Sequence, residues 1–362
     1  MQGTGEAAGP GSISAGAAAQ EAEHGEAAMD QGNRQIVLTE IPQGKLRRDH
    51  FALVETARPE PADGEVLLRT LYMSLDAANR AWMQGATYRS ALKALDVMAG
   101  GALAEVVESK AAGFSAGDLV FTDTGWQEYA ALPARHLEKL PRTDPITHLL
   151  SVYGVTGLTA YFGLLECGRP KPGETVVVSA AAGAVGSIVG QIAKLKGCRV
   201  VGIAGGAEKC SYIVAELGFD AAIDYKSEDV AAALAEKCPD GIDIYFDNVG
   251  GEILDAALTR LARGARVIIC GAISQYNATG ELKGPSNYLS LLVNSATMTG
   301  FVVSNYYSRY GEAAAEMAGW LSSGKLLSRE DIVTGIENFP AALLRLFSGE
   351  NNGKQVLQIA AD

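Results

Sequence analysis

The sequence predicts an α/β protein in which a small, mostly β, barrel-like domain accompanies a doubly wound parallel sheet of six strands. Three observations lead to this prediction. Short apolar or alternating runs, separated by turn residues, fill the first part of the folded chain. From Thr175 onward, apolar β-branched runs alternate with helical patterns. The first of these runs leads directly into a Gly- and Ala-rich turn that opens a helix.

Length and composition are those of a globular protein with more than one domain. The chain has 362 residues, of which 48% are apolar, so it can form two domains and a large core. Its formal charge is −12 and its 30 Lys and Arg residues form no basic block, which disfavours a nucleic-acid surface. Every apolar run is shorter than the ~18 residues of a membrane-spanning helix. We therefore expect neither nucleic acid nor a membrane as a partner.

The beginning of the chain differs in composition from the rest. Residues 1–30 are rich in Ala, Gly and Glu and contain no Lys or Arg. They lack the positive start and apolar centre of a secretory signal and the Arg residues of a mitochondrial presequence. We predict a disordered tail at residues 1–32. The five cysteines are odd in number and lack CxxC spacing, as expected of unpaired thiols in a reducing compartment, so the expected location is the cytoplasm.

The first folded part, residues 33–150, is predicted to be the small β domain. Four of its runs have the apolar or alternating pattern of strands, at residues 35–38, 65–69, 102–107 and 118–121. From residue 144 to 167 the pattern becomes helical. The last part, residues 304–362, offers a helix and possible strands at 332–336 and 355–359. Because it is too small to fold alone, we expect it to return to the first domain.

Residues 151–303 carry the alternating pattern. The predicted strands are at residues 175–179, 199–204, 221–223, 242–247, 266–270 and 296–303. The predicted helices between them begin near residue 187 and span residues 208–217, 229–237 and 251–260. Strands that alternate with helices in this way form a doubly wound sheet, and ligands of such sheets bind beyond the carboxyl ends of the strands.

The turn after the first of these strands has the spacing of a dinucleotide-binding turn. Ala181, Gly183 and Gly186 follow the strand, and helical apolar spacing begins after them. Gly183 lets the backbone approach a pyrophosphate, and Gly186 lets the helix pack on the strand. The free N–H groups of the helix face the negative charge. Although Ala181 replaces the first glycine of the pattern, the strand before it and the helix after it predict a Rossmann nucleotide site.

The end of the second strand indicates which nucleotide binds. NAD-dependent enzymes usually carry Asp or Glu there, about 20 residues past the glycine turn, for the ribose 2′-hydroxyl. Here the strand ends in Ala204, Gly205 and Gly206, and Lys209 follows within one helical turn. The lysine is either a contact for a 2′-phosphate or a solvated surface residue beside Glu208. We favour the phosphate contact and predict NADP(H) as the cofactor.

The sequence offers no recognisable metal site. Zinc-dependent alcohol dehydrogenases use Cys and His ligands in the first domain, but residues 33–150 contain no cysteine. The histidines His50, His136 and His148 are far apart and lack ligand spacing, so we predict structural roles for them. Without a metal to polarise an alcohol, hydride transfer to an electron-poor carbon is the better match. The β-carbon of an enone needs only a hydrogen-bond donor for the developing enolate.

Several segments together resemble a known family. The chain from about Asn33 to its end is similar to the zinc-independent medium-chain reductases that include leukotriene B4 12-hydroxydehydrogenase/prostaglandin reductase, curcumin reductase and plant double-bond reductases. The segments that carry the resemblance are YMSLDAANRAWM, GWQEYA, GLTAYFGL, SAAAGAVGS, GGAEKC, YFDNVGGE, CGAISQYN and GENNGKQV. The resemblance implies a GroES-like substrate domain at residues 33–150, a Rossmann domain at residues 151–303 and a return to the substrate domain at residues 304–362.

The resemblance also implies roles for individual residues. It implies cofactor contacts from Thr159, Gly183, Ala184, Val185, Gly186, Lys209, Tyr225, Asn248, Cys270, Gly271, Ala272, Ile273, Ser274, Tyr276, Phe301, Val302, Val303 and Asn351. Among these, Lys209 and Tyr225 belong to the 2′-phosphate end, and Thr159, residues 301–303 and Asn351 belong to the nicotinamide side. Tyr276 is implied to contact the substrate carbonyl, because its phenol is a neutral donor to an enolate oxygen. The alternative for Tyr276 is an ordinary core tyrosine.

One motif departs from the family pattern. Many relatives have DPYMR or DPAMR where this chain has DAANR at residues 76–80, so the tyrosine of plant members is absent. Tyr88 resembles a tyrosine that follows this motif in bacterial curcumin-reductase-like members, and we predict it as a second substrate-pocket residue. Loops at residues 92–98 and 279–286 are expected to shape the pocket.

The predicted function is NADPH-dependent reduction of the C=C bond of an α,β-unsaturated ketone or aldehyde, with no metal. Quinone reduction is an alternative, because related metal-free members use the same architecture. A further alternative is a scaffold or sensor that binds NADPH without turnover, since a fold does not guarantee activity. Family members are commonly homodimers that join the edge strands of their nucleotide-binding sheets, and residues 297–303 have the apolar, β-branched character for such pairing.

Overall fold

The computed structural model describes residues 32–85, 90–278 and 283–361, and its N-terminal part is a β domain. Its strands are β1 (Gly32–Leu38), β2 (Phe51–Ala57), β3 (Glu65–Ser74), β4 (Gly101–Ser109), β5 (Leu119–Asp123), β6 (Tyr129–Pro133) and β7 (Glu138–Lys139). A short helix, α1 (Ala78–Ala81), follows β3. β1 and β2 form an antiparallel pair, whereas β3 pairs antiparallel with both β4 and β6. The strands predicted in this part of the chain are therefore present.

The central part of the chain forms a parallel sheet. Its strands are β8 (Thr175–Ser179), β9 (Arg199–Ala204), β10 (Ala221–Asp224), β11 (Ile242–Asp247), β12 (Leu261–Ile269) and β13 (Thr297–Gly300). The strand order is β10-β9-β8-β11-β12-β13, and every neighbouring pair is parallel. The prediction of a six-stranded doubly wound sheet is confirmed. The strand order reverses direction between β8 and β11, which is where such sheets bind ligands.

Helices cover both faces of this sheet. They are α2 (Val155–Phe162), α3 (Ala184–Leu195), α4 (Ala207–Ala215), α5 (Val230–Lys237), α6 (Gly251–Leu258) and α7 (Leu289–Val293). The central strand β8 is apolar on both faces, and its valines 176–178 are fully buried. α3 packs closely because Gly190 has no side chain; a Cβ there would overlap the Phe219 ring. No helix within the described ranges has the length and apolarity needed to cross a bilayer.

The C-terminal part of the chain joins the sheet of the N-terminal part. It consists of α8 (Tyr310–Ser322), β14 (Glu330–Thr334), α9 (Phe339–Ser348) and β15 (Lys354–Gln358). The order in that sheet is β14-β15-β3-β4-β5-β7, and β15 runs antiparallel to β3. Trp126 is fully buried there and stacks on Phe339 of α9 at a ring distance of 4.0 Å. The domain boundaries themselves stay a prediction.

Several element boundaries differ from the predicted ones. The predicted strand at residues 296–303 is shorter in the structure, because β13 ends at Gly300 and a 3-10 turn begins at Val303. Phe301 turns inward there and its ring packs edge-on against Phe246 at 6.4 Å. β12 begins at Leu261 rather than at residue 266, with an irregularity in its pairing to β11. α3 begins at Ala184, directly after Gly183, rather than near residue 187.

Candidate cofactor and substrate cleft

The turn between β8 and α3 is built around close backbone packing. Ala180 has a left-handed backbone (φ 49°), which Gly residues usually adopt. A Cβ at Gly186 would overlap the Ala180 carbonyl, and one at Gly183 would lie 3.1 Å from the same oxygen. Ala181, at the position of the missing first glycine, is fully buried and donates its N–H to the Ile203 carbonyl at 3.0 Å. The turn therefore places Gly183 directly before the first turn of α3, as the predicted pyrophosphate site requires.

The end of β9 forms the expected adenosine side of the cleft. A Cβ at Gly205 would lie 2.8 Å from the ring of Tyr225, so the ring lies directly against the glycine backbone. The Tyr225 side chain is 42% exposed, as a surface for a planar ligand would be. The nearest acid, Asp224, accepts hydrogen bonds from the Gly206 and Lys226 N–H groups. These backbone bonds lower the pKa of the Asp224 carboxyl.

Lys209 lies on the same side of the cleft, but its ammonium group already has protein partners. It donates to the Gly349 carbonyl at 2.8 Å and to the Asn351 carbonyl at 2.6 Å. Burial, followed by the charge of Lys226, lowers the pKa of Lys209. A lysine ammonium has three donors, so one remains for a phosphate oxygen. The contact of Lys209 with a 2′-phosphate stays a prediction, and the fastening to residues 349 and 351 is a finding that the sequence did not suggest.

Residues 349–354, which we call the strap, cross from α9 to β15 beside the dinucleotide turn. Gly353 donates its N–H to the Ala182 carbonyl at 3.0 Å and forms a parallel bridge with Gly183. Asn351 donates its side-chain amide to the Gly353 carbonyl at 3.0 Å. The structure therefore brings Asn351 to the same turn as Gly183, although the two are far apart in the sequence. Val185 follows in the first turn of α3.

A buried carboxylate organises the end of β11. Asp247 is 1% exposed and accepts hydrogen bonds from the Ser179 and Tyr245 hydroxyls and from the Val249 and Gly250 N–H groups. Burial outweighs these bonds and raises the pKa of Asp247. The sequence reasoning missed this residue, and the only signal for it was its place inside the YFDNVGGE segment.

Asn248 bridges the ends of two strands. Its side-chain amide donates to the Ser179 carbonyl at 2.7 Å, and its backbone N–H donates to the Ser179 hydroxyl at 2.8 Å. The predicted site residue thus lies at the carboxyl edge between β8 and β11.

The segment after β12 returns to the end of β11. Cys270 and Gly271 both donate their N–H groups to the Asp247 carbonyl, at 2.9 and 3.1 Å. The Ser274 hydroxyl donates to the Val249 carbonyl at 2.6 Å. Burial raises the pKa of the Cys270 thiol to about 12, with a further contribution from the charge of Asp247. The predicted cofactor residues 270–274 are therefore held against the neighbouring strand.

Tyr276 lies at the end of this segment and contacts the N-terminal β domain. Its hydroxyl accepts a hydrogen bond from the Ala272 N–H at 3.3 Å, which leaves the phenol proton for another acceptor. Its backbone carbonyl accepts from the Gln84 side chain at 2.7 Å. Arg80 donates to the side chain of Asn277 at 3.2 Å. The second predicted substrate residue, Tyr88, lies outside the described residues, as do residues 279–282 of the predicted pocket loop.

Four of the five residues predicted for the nicotinamide side lie on two adjacent elements, whereas the fifth, Asn351, lies on the strap, where its carbonyl accepts from Lys209. Thr159 is part of α2, whereas Phe301, Val302 and Val303 follow β13. The two elements touch because Phe162 of α2 stacks on Tyr306 with ring centroids 4.7 Å apart. Val302 is 46% exposed, so it presents an apolar side chain to solvent directly after β13.

The histidines have separate surroundings. His50 is buried and accepts a hydrogen bond from the Arg47 N–H at 3.1 Å, and burial lowers its pKa. His148 lies edge-on to Tyr153, with centroids 6.0 Å apart. Over the part of the chain that the structure describes, no group of three or more His, Cys, Asp or Glu side chains is arranged to hold a metal ion.

Comparisons with known proteins cover most of the chain. Residues 34–140 match the family model described as the N-terminal domain of oxidoreductase, and residues 184–319 match the one described as zinc-binding dehydrogenase. The NADPH-dependent curcumin reductase of Escherichia coli is 43% identical over 92% of this chain and 98% of its own length. The NADP(+)-dependent 2-alkenal reductase of Nicotiana tabacum is 39% identical over 92% of this chain and 100% of its own length.

A solved structure agrees with these sequence matches. The structure of CurA from Vibrio vulnificus in complex with NADPH is 46% identical, with a TM-score of 0.86. The alignment covers 91% of this chain and 100% of that chain.

Proposed function

The chain belongs to the zinc-independent medium-chain reductases of the prostaglandin reductase and curcumin reductase family, and from this premise we propose that it reduces enones with NADPH. The reaction is reduction of the C=C bond of an α,β-unsaturated ketone or aldehyde, with hydride added to the β-carbon and a proton, from water or a tyrosine, added to the α-carbon. The cofactor is NADP(H). The observation that carries the proposal is that the dinucleotide turn, Lys209 and Tyr276 all lie along the carboxyl edge of one parallel sheet.

The chain's own residues bind and orient the reactants. NADPH, when bound, supplies the hydride chemistry of the site. The turn at Gly183 and the N-terminus of α3 would hold the pyrophosphate, and Lys209 with Tyr225 would hold the phosphorylated ribose. Tyr276 donates its phenol proton in a hydrogen bond to the substrate carbonyl, which stabilises the charge that develops on that oxygen. Positioning and electrostatics therefore provide most of the catalysis.

The test is the loss of NADPH absorbance with a panel of small enones, enals and quinones. We expect turnover of the enones and enals. Tyr276→Phe should lower kcat by about 10²-fold, because one donor to a developing oxyanion is removed. Tyr129→Phe is the matched control, since Tyr129 lies in β6 on the N-terminal domain. If Tyr276→Phe keeps full activity, Tyr276 has no part in the reaction; if only quinones react, the proposed substrate class is wrong.

We propose a contact role for Tyr88 as well, on the resemblance to bacterial curcumin-reductase-like members. Tyr88→Phe and Tyr88→Ala should raise KM for the enone more than they change the Kd for NADPH. Equal KM values for the wild type and both variants would exclude Tyr88 from the substrate pocket.

We propose that the chain forms a homodimer, and two exposed features of its surface support this. β13 is the last strand of the parallel sheet, and its outer edge has no neighbouring strand within the described residues. Leu292 and Val293 of the adjacent α7 are 77% and 78% exposed. Edge pairing of β13 with its copy would satisfy the free backbone groups and cover these side chains. Light scattering should give a dimer, and Leu292→Asp with Val293→Asp should give a monomer.

Cytoplasmic residence is the proposed location. Cys167, Cys198, Cys210, Cys238 and Cys270 are all free thiols. Unpaired cysteines are typical of reducing compartments. Cell fractionation that recovers the protein only outside the cytoplasm would refute this proposal.

A further inference from the structure

Lys354 at the start of β15 is a buried charge whose ammonium group bonds to the substrate domain. The residue is only 2% exposed, whereas the side chain of its partner Asp76 is 32% exposed. Its ammonium forms an ion pair with the Asp76 carboxylate at 2.5 Å and donates to the Leu75 carbonyl at 3.0 Å. The other Asp76 oxygen accepts a hydrogen bond from the Ser74 hydroxyl. The pair therefore attaches Lys354, the last residue of the strap, to Asp76 in the segment that follows β3.

Stability alone is a poor reason to keep such a pair. Removing a lysine ammonium from water costs several kcal/mol, and replacing a buried ion pair by apolar residues of similar volume is often neutral or stabilising. Buried ionic groups are better attested as devices that select one arrangement of the surrounding elements. The question is then which elements Lys354 and Asp76 hold in register.

On one side of the pair is the dinucleotide turn between β8 and α3. Gly353, the neighbour of Lys354, bonds to the Ala182 carbonyl and bridges to Gly183. Its backbone is left-handed (φ 76°), and a Cβ there would overlap the Arg329 carbonyl, so the strap has little freedom at this point. At the other end of the strap, Lys209 binds two carbonyls. Because Gly353 bonds to the dinucleotide turn, we expect a movement of that turn to move the backbone of Lys354 as well.

On the other side of the pair is the segment of residues 75–85, which includes α1. The Asp76 N–H donates to the side chain of Asn79 at 2.8 Å, which sets the start of α1. Arg80 and Gln84 then bind Asn277 and the Tyr276 carbonyl, at 3.2 and 2.7 Å. Asp76 thus lies at the base of the short segment that holds the Tyr276 loop.

We propose that Lys354 and Asp76 are positioning residues: their ion pair couples the cofactor turn to the segment, residues 75–85, that holds the Tyr276 loop. The pair touches neither reactant in this scheme. It fixes the distance between the strap and α1, and so the position of the Tyr276 hydroxyl relative to the nucleotide. The kinetic consequence rests on the proposed function, whereas the structural coupling does not.

The test uses the full chain with Lys354→Met and with the double variant Lys354→Met/Asp76→Asn, which leaves no uncompensated charge. Hydrogen exchange by mass spectrometry is measured with and without NADPH on peptides that cover residues 349–354 and 75–85. In the wild type, NADPH should slow exchange in both peptides. In the double variant it should slow exchange in the strap alone. The kcat for an enone should fall by about 10- to 100-fold, as for a catalytic group misplaced by about 1 Å, while the Kd for NADPH stays near the wild-type value.

Lys194→Met is the matched control, because Lys194 forms an ion pair with Asp220 at 2.8 Å that is partly exposed. It should leave both the exchange pattern and kcat unchanged. If NADPH slows exchange in residues 75–85 of the double variant as much as it does in the wild type, the proposal is wrong, whatever the kinetics show. A double variant that does not fold also overturns it, because the pair is then a stability element. A wild type that reduces no enone refutes the proposed function, and the exchange result still decides the coupling.

Discussion

Replacing Lys209 by Met separates two roles of one side chain. In the structure the ammonium donates to the carbonyls of Gly349 and Asn351, at 2.8 and 2.6 Å, and has one donor left for a ligand. Met keeps much of the length and apolar packing of the lysine stem but removes all three donors and the charge. The change therefore loosens the strap and, if the prediction for the adenosine end is right, also removes the contact to the 2′-phosphate.

The two losses can be told apart by their dependence on the cofactor. A hydrogen bond that involves a charged group contributes about 1.5–3 kcal/mol. At about 1.4 kcal/mol for each factor of ten, the lost phosphate contact corresponds to roughly a 10- to 150-fold weaker Kd for NADPH. The loosened strap weakens NADPH and NADH equally. The ratio of the two Kd values is therefore expected to change by that same factor, and the common loss cancels.

The assay is fluorescence titration of wild type and Lys209→Met with each cofactor at low ionic strength. Lys194→Met serves as the control for a lost surface cation, and its ratio should match that of the wild type. A Lys209→Met protein in which both Kd values rise while their ratio stays the same would refute the phosphate contact. Lys209 would then only fasten the strap.

Three other changes have effects that follow from the structure. Gly186→Val places a side chain on a backbone carbonyl of the cofactor turn, so calorimetric titration should show no NADPH binding. Trp126→Ala removes a buried ring stacked on Phe339 and should lower the free energy of unfolding in urea by about 3–5 kcal/mol; a loss below about 1 kcal/mol would contradict this packing. Burial raises the pKa of Glu174, but the hydrogen bond from Arg266 and a backbone N–H lower it overall. Its folded pKa is thus below its unfolded value, so its stabilisation is present above about pH 4.3 and is lost on acidification through the folded pKa. Glu174→Gln should therefore have a lower Tm at neutral pH and a smaller decrease of Tm on acidification, and an unchanged profile would refute this.

The parts of the fold that local patterns encode were predictable. β8, β9 and β11 span the predicted residues, because short buried strands bounded by turn residues are a local signal. The strand predicted at residues 296–303 was too long, since the β-branched residues after Gly300 also have strand propensity. There tertiary packing decides the outcome: Phe301 packs against Phe246, and the strand ends.

The site was predictable where a motif carries its own geometry and not where partners come from distant segments. The dinucleotide turn is such a motif. Lys354, by contrast, follows three polar residues and a glycine and has the pattern of a surface lysine. It is buried only because Asp76, 278 positions away, supplies the opposite charge. Asp247 likewise ends an apolar strand, and its donors come from β8, its own strand and the turn that follows.

The raised pKa of the Cys270 thiol has a consequence for an enzyme that handles such substrates. Enones and enals are Michael acceptors, and they alkylate cysteine through the thiolate form. Because desolvation and the charge of Asp247 raise its pKa above the ordinary value, Cys270 is in the thiol form, not the thiolate form, at neutral pH. Cys270, which belongs to the predicted cofactor segment, is therefore less reactive toward such an electrophile than a cysteine with an ordinary pKa.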